Sequence, residues 1–435
     1  MGRLQPSRGL PPAGFLRAAR AKKAKATINQ LIPSLLSTHP RARRGIEAAE
    51  LIVVDQETGT LRGASGEKLQ APPAPAGPVS CDSKSSHRNA SSKTNASQTH
   101  PPPSPRITLV VADTLSAARA LAEENPNPEF KPSNPTDSKT TQESSPSPLS
   151  QRVAILNMAS PLNPGGGFVN GATSQEESLC MRTTLLPSLR DHYYRLPDLG
   201  AIYTPDVLVF RSDDDDAAAD VLEKKDRWFV DCISAAMLRN PETEADSSGR
   251  RRYVRDKDRQ LVLDKMKMVM RICRARGVRR VVLGAWGCGA YGNPVGEVAA
   301  AWRKVLLPRT TDGGKGKKAK GERRGSGGGS GEDWRDVVEE IVFAVKDAGM
   351  ADAFATSFGE GLVREELAGS IEEEEEGGDH DDDPEEANRA ELRARISELE
   401  VRIQASTNPQ LKQGLHSILA SLVSQLPPGD DNKAL

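Results

Sequence analysis

The sequence has little of what small secreted and metal-bound proteins rely on. Its 435 residues hold five cysteines, Cys81, Cys180, Cys232, Cys273 and Cys288, odd in number, widely spaced and without a C-x-x-C pair. That excludes a disulfide framework or a zinc knuckle and fits a reducing compartment. Aromatic residues make up 4% and hydrophobic residues 37%, against 27% charged, with 31 prolines and 37 glycines. Much of this length cannot bury a core and is expected to be disordered. There is no run of about 18 apolar residues, so no membrane span is expected. The N-terminal MGRLQPSRGLPPAG lacks the apolar stretch of a secretory signal. It is Arg-rich and acid-poor, which leaves a mitochondrial address open beside a cytoplasmic or nuclear one. The six histidines form no ligand spacing, and SDDDDAAAD (212–220) lacks the EF-hand pattern, so neither a metal nor a cofactor is expected. A net charge of −1 does not suit direct nucleic-acid binding.

What is present is unevenly distributed. Residues 1–55 read as a helical lead-in, partly ordered. FLRAARAKKAKATINQLIPSLLS gives a basic helix stopped at Pro33, and GIEAAELIVVD gives a short strand. Residues 56–105 have linker composition, as in APPAPAGPVS and THPPPSP. A compact domain is expected over 106–362, with disordered inserts at about 125–150 and 310–332. In it RITLVVAD, VAILNMAS, VLVFRS, WFVDCISA, RRVVLGAW and EEIVFAVKD are short apolar runs, as strands buried on both faces require. Helical patterns lie between them, at 114–124, 174–186, 256–275 and 295–307. Strand–helix alternation points to an α/β layered fold. An acidic linker follows at 363–384. The last segment, 385–427, carries Leu392, Ile396, Leu399 and Ile403, then Leu411, Leu415, Ile418 and Leu422, a helical hairpin with a packing face open to a protein partner.

Two glycine loops carry the chemistry. NPGGGFVNGATSQEES (163–178) lies at the C-terminal end of the VAILNM strand, the edge where open α/β sheets bind ligands. Gly165, Gly166 and Gly167 let a ligand approach main-chain N–H groups, and the helix starting near Ser174 adds its positive end. This suits a phosphate or diphosphate. Ser174-x-x-Glu177 is also a capping box, in which Glu177 would satisfy the Ser174 N–H. Glu176 and Glu177 are adjacent and point about 100° apart on a helix, so a facing glycosidase pair is not encoded. One glutamate next to a phosphate has its pKa raised by like-charge repulsion and can serve as a general acid. The second loop, LGAWGCGAYGNP (283–294), formally matches G-x-G-x-x-G at Gly287–Gly292 but lacks the acidic partner of a dinucleotide site. It reads as a second phosphate cradle, with Tyr291 free to stack. Cys288 there is a small packing residue or a nucleophile, and no histidine lies nearby in sequence.

Together, GGG, a seven-residue spacer and Gln175-Glu176-Glu177 resemble the signature of the microbial-type poly(ADP-ribose) glycohydrolases, a macrodomain-like family. The likeness extends through LNMASPLNPGGG, QEESLCMRTTLLPSL and VLGAWGCGAYGN. It implies a mixed, mostly parallel sheet between helices and binding of ADP-ribose at strand C-termini. It also implies that Glu177 is catalytic, with Glu176 orienting it or touching the ribose, and that Asn163 and Gln175 belong to the substrate site. Gly165–Gly167 and the second loop (Gly287, Cys288, Gly289, Ala290, Tyr291) would clasp the diphosphate, and Asp113 would accept from the adenine amino group. The implied reaction is hydrolysis of ribose–ribose O-glycosidic bonds, with poly(ADP-ribose) or ADP-ribosylated proteins as partners. Two alternatives stand beside it: an ADP-ribose-binding module without catalysis, and a hydrolase of mono-ADP-ribosyl bonds. KGKKAKGERR (315–324) reads either as a nuclear localisation signal or as a solvated loop.

Overall fold

The computed structural model describes residues 13–55, 57–63, 66–69, 104–123, 152–212, 221–247, 249–307, 332–335 and 337–366. The chain divides into two units, Met1–Gly369 and Ser370–Leu435, and every described residue belongs to the first. The inserts expected at about 125–150 and over most of 310–332, most of the 56–105 linker, the basic 315–324 cluster, most of the SDDDD run, and nearly all of the acidic linker with the whole C-terminal hairpin lie outside the described residues.

The described chain runs α1 (Ala13–Ala26), α2 (Ile32–Thr38), α3 (Pro40–Glu47), β1 (Glu50–Val54), β2 (Leu61–Gly63), β3 (Arg106–Val110), α4 (Thr114–Glu123), β4 (Val153–Met158) and α5 (Gln175–Arg182). It continues with β5 (Gly200–Val209), β6 (Trp228–Ala235), the hairpin β7 (Thr243–Ala245) and β8 (Arg251–Tyr253), α6 (Asp256–Arg276), β9 (Arg280–Leu283), α7 (Val295–Leu306), β10 (Glu340–Ala344), α8 (Ala348–Phe358) and β11 (Val363–Arg364). Nine strands form one sheet in the order β11-β3-β10-β9-β4-β6-β5-β1-β2. The run β11-β3-β10-β9-β4-β6 is parallel, whereas β5, β1 and β2 each pair antiparallel. This is the expected layering, a mostly parallel sheet between helices.

The pleat explains why these apolar runs became strands. Alternate residues project to opposite faces, so Ala154 and Leu156 join the core under α6, α7 and α8, while Val153 and Ile155 join the core under α4 and α5. Ile341 and Phe343 divide from Val342 and Ala344 in the same way. On the first face Trp286, Trp302, Phe343, Phe354 and Phe358 form a contiguous aromatic group. Packed together, these rings exclude water from that face of the sheet.

Pro33 does not stop the first helix. It sits in the first turn of α2, where its missing N–H costs nothing, and a π-turn at Thr27–Leu31 joins α1 to α2. The lead-in also feeds the sheet: β1 pairs with β5 in register Ile52 to Ala201. The α5 helix stops at Arg182, short of the expected 186, because Thr183 is extended and bridges to Val209.

Candidate active site

Parallel topology delivers the C-terminal ends of β3, β10, β9, β4 and β6 to one edge of the sheet. The loops leaving those ends surround a cleft of about 680 Å³, which includes Asp113, Asn163, Gly166, Glu176, Glu177 and Tyr291 among its lining residues. Residues from five separate segments of the sequence thus meet around one volume.

The first loop folds back under α5. Gly166 N–H donates to the Asn163 carbonyl at 3.1 Å, and Phe168 N–H to the Gly165 carbonyl at 3.0 Å. Gly165 and Gly166 have φ of 67° and 57°, a region open mainly to glycine. Each glycine is also needed for space. A Cβ on Gly165 would stand 2.7 Å from Leu186 Cδ1, and one on Gly166 would stand 2.6 Å from Glu177 Oε1 and 3.0 Å from Glu176 Oε2. Gly165 therefore packs against protein and lies outside the cleft lining, whereas Gly166 and Gly167 line it. The bare backbone ahead of the carboxylates is what lets the carboxylates lie on it.

Glu177 is 8% exposed, and its Oε1 accepts from the Gly167 N–H at 2.7 Å. The capping box does not form: Ser174 makes no side-chain cap hydrogen bond, and Glu177 turns to the glycine loop instead. Glu176 is 3% exposed. Its Oε2 accepts from the Ser160 N–H at 2.7 Å and its Oε1 from Asn157 Nδ2 at 3.4 Å. Burial pushes its carboxyl up to about 8. The Ser160 and Asn157 hydrogen bonds oppose that rise, and the charge of Glu177 adds to it. At pH 7 Glu176 is thus mostly the neutral acid, and the two adjacent side chains do not both bring negative charge to the cleft.

Gln175 braces the site. Its Oε1 accepts from the Met158 N–H at 2.8 Å, and its Nε2 donates to the Leu156 carbonyl at 2.8 Å and to Thr114 Oγ1 at 3.1 Å. The amide thereby extends the β4 ladder and fixes the start of α5, so its polar atoms are spent on protein. Asp113 caps α4, accepting from the Leu115 N–H at 2.9 Å, and pairs with Arg182 at 2.7 Å. Burial works against its ionisation, but Arg182 and Ser116 hold the carboxyl below its ordinary value. Asn163 is exposed at the cleft.

In the second loop Gly287, Gly289, Ala290 and Tyr291 line the cleft, and Cys288 does not. The Cys288 side chain packs against the core, and burial pushes its thiol up to about 12, which removes the thiolate that nucleophilic chemistry needs. Burial likewise raises the Tyr291 phenol. Sequence reasoning missed the residue that ties this loop together. Asn293, 2% exposed, donates through Nδ2 to the Leu238 carbonyl at 2.7 Å and to the Gly287 carbonyl at 3.0 Å, and it accepts from the Tyr253 hydroxyl at 2.8 Å. Asn157 and Ser160, which hold Glu176, were missed as well. A polar residue inside the apolar run VAILNM was the available signal for Asn157.

No curated protein matches the chain. Among solved structures, poly(ADP-ribose) glycohydrolase (PARG) from Thermomonospora curvata is similar at 23% identity and a TM-score of 0.47, covering 78% of this chain and 100% of that one. The same enzyme bound to the inhibitor ADP-HPD is similar at 22% and 0.46, with the same coverage. PARG from Deinococcus radiodurans in complex with ADP-ribose is similar at 24% and 0.38, covering 58% of this chain and 84% of that one. The family model described as "Microbial-type PARG, catalytic domain" matches residues 74–212, which include the NPGGG loop and Gln175–Glu177.

Proposed function

We propose that the chain hydrolyses the ribose–ribose O-glycosidic bonds of poly(ADP-ribose) and releases ADP-ribose, with Glu177 as general acid and then general base. The observation that carries this reading is the seating of Glu177: a nearly buried carboxylate at a cleft, pinned through one oxygen to Gly167 N–H. Among the described residues its other oxygen has no protein partner and is left to face the substrate. A bound diphosphate favours the acid form of a neighbouring carboxylate by like-charge repulsion. In that form Glu177 protonates the departing ribose oxygen as the glycosidic bond breaks. The substrate's own diphosphate, lying between the two glycine loops, stabilises the oxocarbenium-like centre. The carboxylate left on Glu177 then takes a proton from the attacking water, so one residue serves twice. Glu176, neutral near pH 7, orients the ribose without adding charge. Asn163 holds the scissile ribose, Asp113 receives the adenine, and Tyr291 stacks at the second loop.

Among the described residues no helix is long and apolar enough to cross a membrane, and no group of His, Cys, Asp or Glu could hold a metal ion. The test is chromatographic release of ADP-ribose from purified poly(ADP-ribose), wild type beside Glu177→Gln. The amide keeps size and hydrogen bonding but has no carboxylic proton to give. Release by the wild type, with the variant slower by a factor of about 100 or more yet still binding ADP-ribose, supports the reading. Binding without release by the wild type would make the domain a reader of ADP-ribose.

A further inference from the structure

The cleft is lined by two cationic side chains, Arg239 and Lys346. They leave the sheet at different strands: Lys346 follows β10, and Arg239 follows β6. Arg239 is exposed, and its guanidinium makes no hydrogen bond or ion pair with any described residue. That sets it apart from arginines such as Arg182, which is spent on Asp113, and Arg190, which is spent on the Ile46 and Glu47 carbonyls.

The Arg239 backbone is not loose. Asn240 N–H donates to the Tyr291 carbonyl at 3.0 Å, and the Leu238 carbonyl accepts from Asn293. Met237 packs so closely on Gly287 that a Cβ there would stand 2.8 Å away. The turn carrying Arg239 is thus fastened to the second glycine loop, and its charge reaches the Tyr291 phenol. A free guanidinium on a fixed turn at a cleft is suited to paired, planar contact with phosphate oxygens.

Strand order says which phosphate. Along the cleft edge, Asp113 stands at β3, then come the exits of β10 and β9, then the first loop with the glutamates at β4, and last Arg239 at β6. Parallel neighbours lie about 4.8 Å apart, so Asp113 and Arg239 are separated by roughly 19 Å. If the adenine of the released unit lies at Asp113 and its scissile ribose at Glu177, the two glycine loops hold its diphosphate between them. Arg239 then stands beyond the bond that breaks.

Resting on the reaction proposed above, we infer that Arg239 binds the diphosphate of the neighbouring ADP-ribose unit, the one that carries the leaving ribose oxygen. Arg239 is a positioning residue for the polymer and has no part in holding the unit that is released. Its place gives the domain a reason to prefer a chain over a single unit.

The experiment measures three quantities for wild type and Arg239→Ala. They are KM for purified poly(ADP-ribose), Kd for ADP-ribose, and Kd for the polymer, this last in a Glu177→Gln background where no turnover occurs. Losing a charge-assisted contact is expected to raise the polymer KM and the polymer Kd by about tenfold, with ADP-ribose affinity held within about twofold. Arg239→Lys should recover only part of the loss, because a point charge cannot replace a fork. Equal polymer binding with and without the guanidinium overturns the inference. So does an equal loss for ADP-ribose, which would move Arg239 onto the released unit's own diphosphate. A wild type that binds polymer but releases nothing sinks the hydrolase reading, and the Arg239 comparison of polymer Kd values stays readable.

Discussion

Glu177 Oε1 accepts the Gly167 N–H at 2.7 Å, and no side chain fits on Gly166 beneath it. The glycine run is therefore part of the carboxylate's own seat. Gly166→Ala tests this. Its Cβ would fall 2.6 Å from Glu177 Oε1 on a backbone with φ of 57°. Either the carboxylate moves or the loop does. The left-handed backbone costs roughly 1 kcal/mol of stability, and a displacement of about 1 Å at the reacting group costs about 100-fold in turnover. ADP-ribose release with a denaturant titration in parallel separates the two effects. Full activity in a folded Gly166→Ala protein would show that Glu177 does not depend on this seat.

Burial of Glu176 has a consequence for stability that is read against pH. Its carboxyl is raised from an ordinary 4.5 to about 8. Below about pH 4.5 both folded and unfolded chains hold the proton, and the contribution to stability is fully present. Between that pH and about 8 the unfolded chain ionises while the folded chain does not, so stability falls as pH rises. The loss is on the order of a few kcal/mol across that window. Glu176→Gln, which cannot ionise, should show a flatter profile. Urea midpoints at pH 5, 7 and 9 for both proteins give the comparison, and parallel profiles would mean that Glu176 ionises normally in the folded chain.

Much of this architecture could be read from residues, and the exceptions have physical causes. VAILNM, WFVDCISA and EEIVFAVKD announced β4, β6 and β10 because strands buried on both faces must be apolar throughout. VLVFRS gave only the end of β5, which begins at Gly200. Pro205 and a register shift between Thr204 and Val207 interrupt its pattern, and proline within a run argues against a strand. The hairpin β7–β8 escaped notice because TEA and RRY are short and half exposed. At the site, the residues in glycine-rich or acidic motifs were legible. Asn293 and Arg239 were not, since one acts by closing a loop on itself and the other by where β6 ends. The same limit misled on detail. Gly165 and Cys288 stand inside the right motifs, yet Gly165 is turned to the packing side and Cys288 into the core. Only the way each residue faces in the folded chain, which sequence does not carry, tells them from Gly166 and Tyr291.

Asn293 should matter more than its place after a glycine suggests. Removing its amide leaves the Leu238 carbonyl and the Tyr253 hydroxyl without their partner and the Gly287 carbonyl with only its main-chain donor, all at a residue 2% exposed. Unpaired buried groups of this kind cost roughly 2–4 kcal/mol in total. Asn293→Ala should therefore lower the urea midpoint and weaken ADP-ribose binding together, because the amide ties the second loop to the turn that follows β6. Asn293→Asp keeps the shape but sets a carboxylate against two carbonyl oxygens, so it should do no better. The loop also holds main-chain bonds of its own, Asn293 N–H to the Gly287 carbonyl at 3.0 Å and Gly292 N–H to the Gly289 carbonyl at 2.9 Å. If Asn293→Ala binds ADP-ribose as the wild type does, those bonds are enough to shape the cradle, and the side chain serves folding alone.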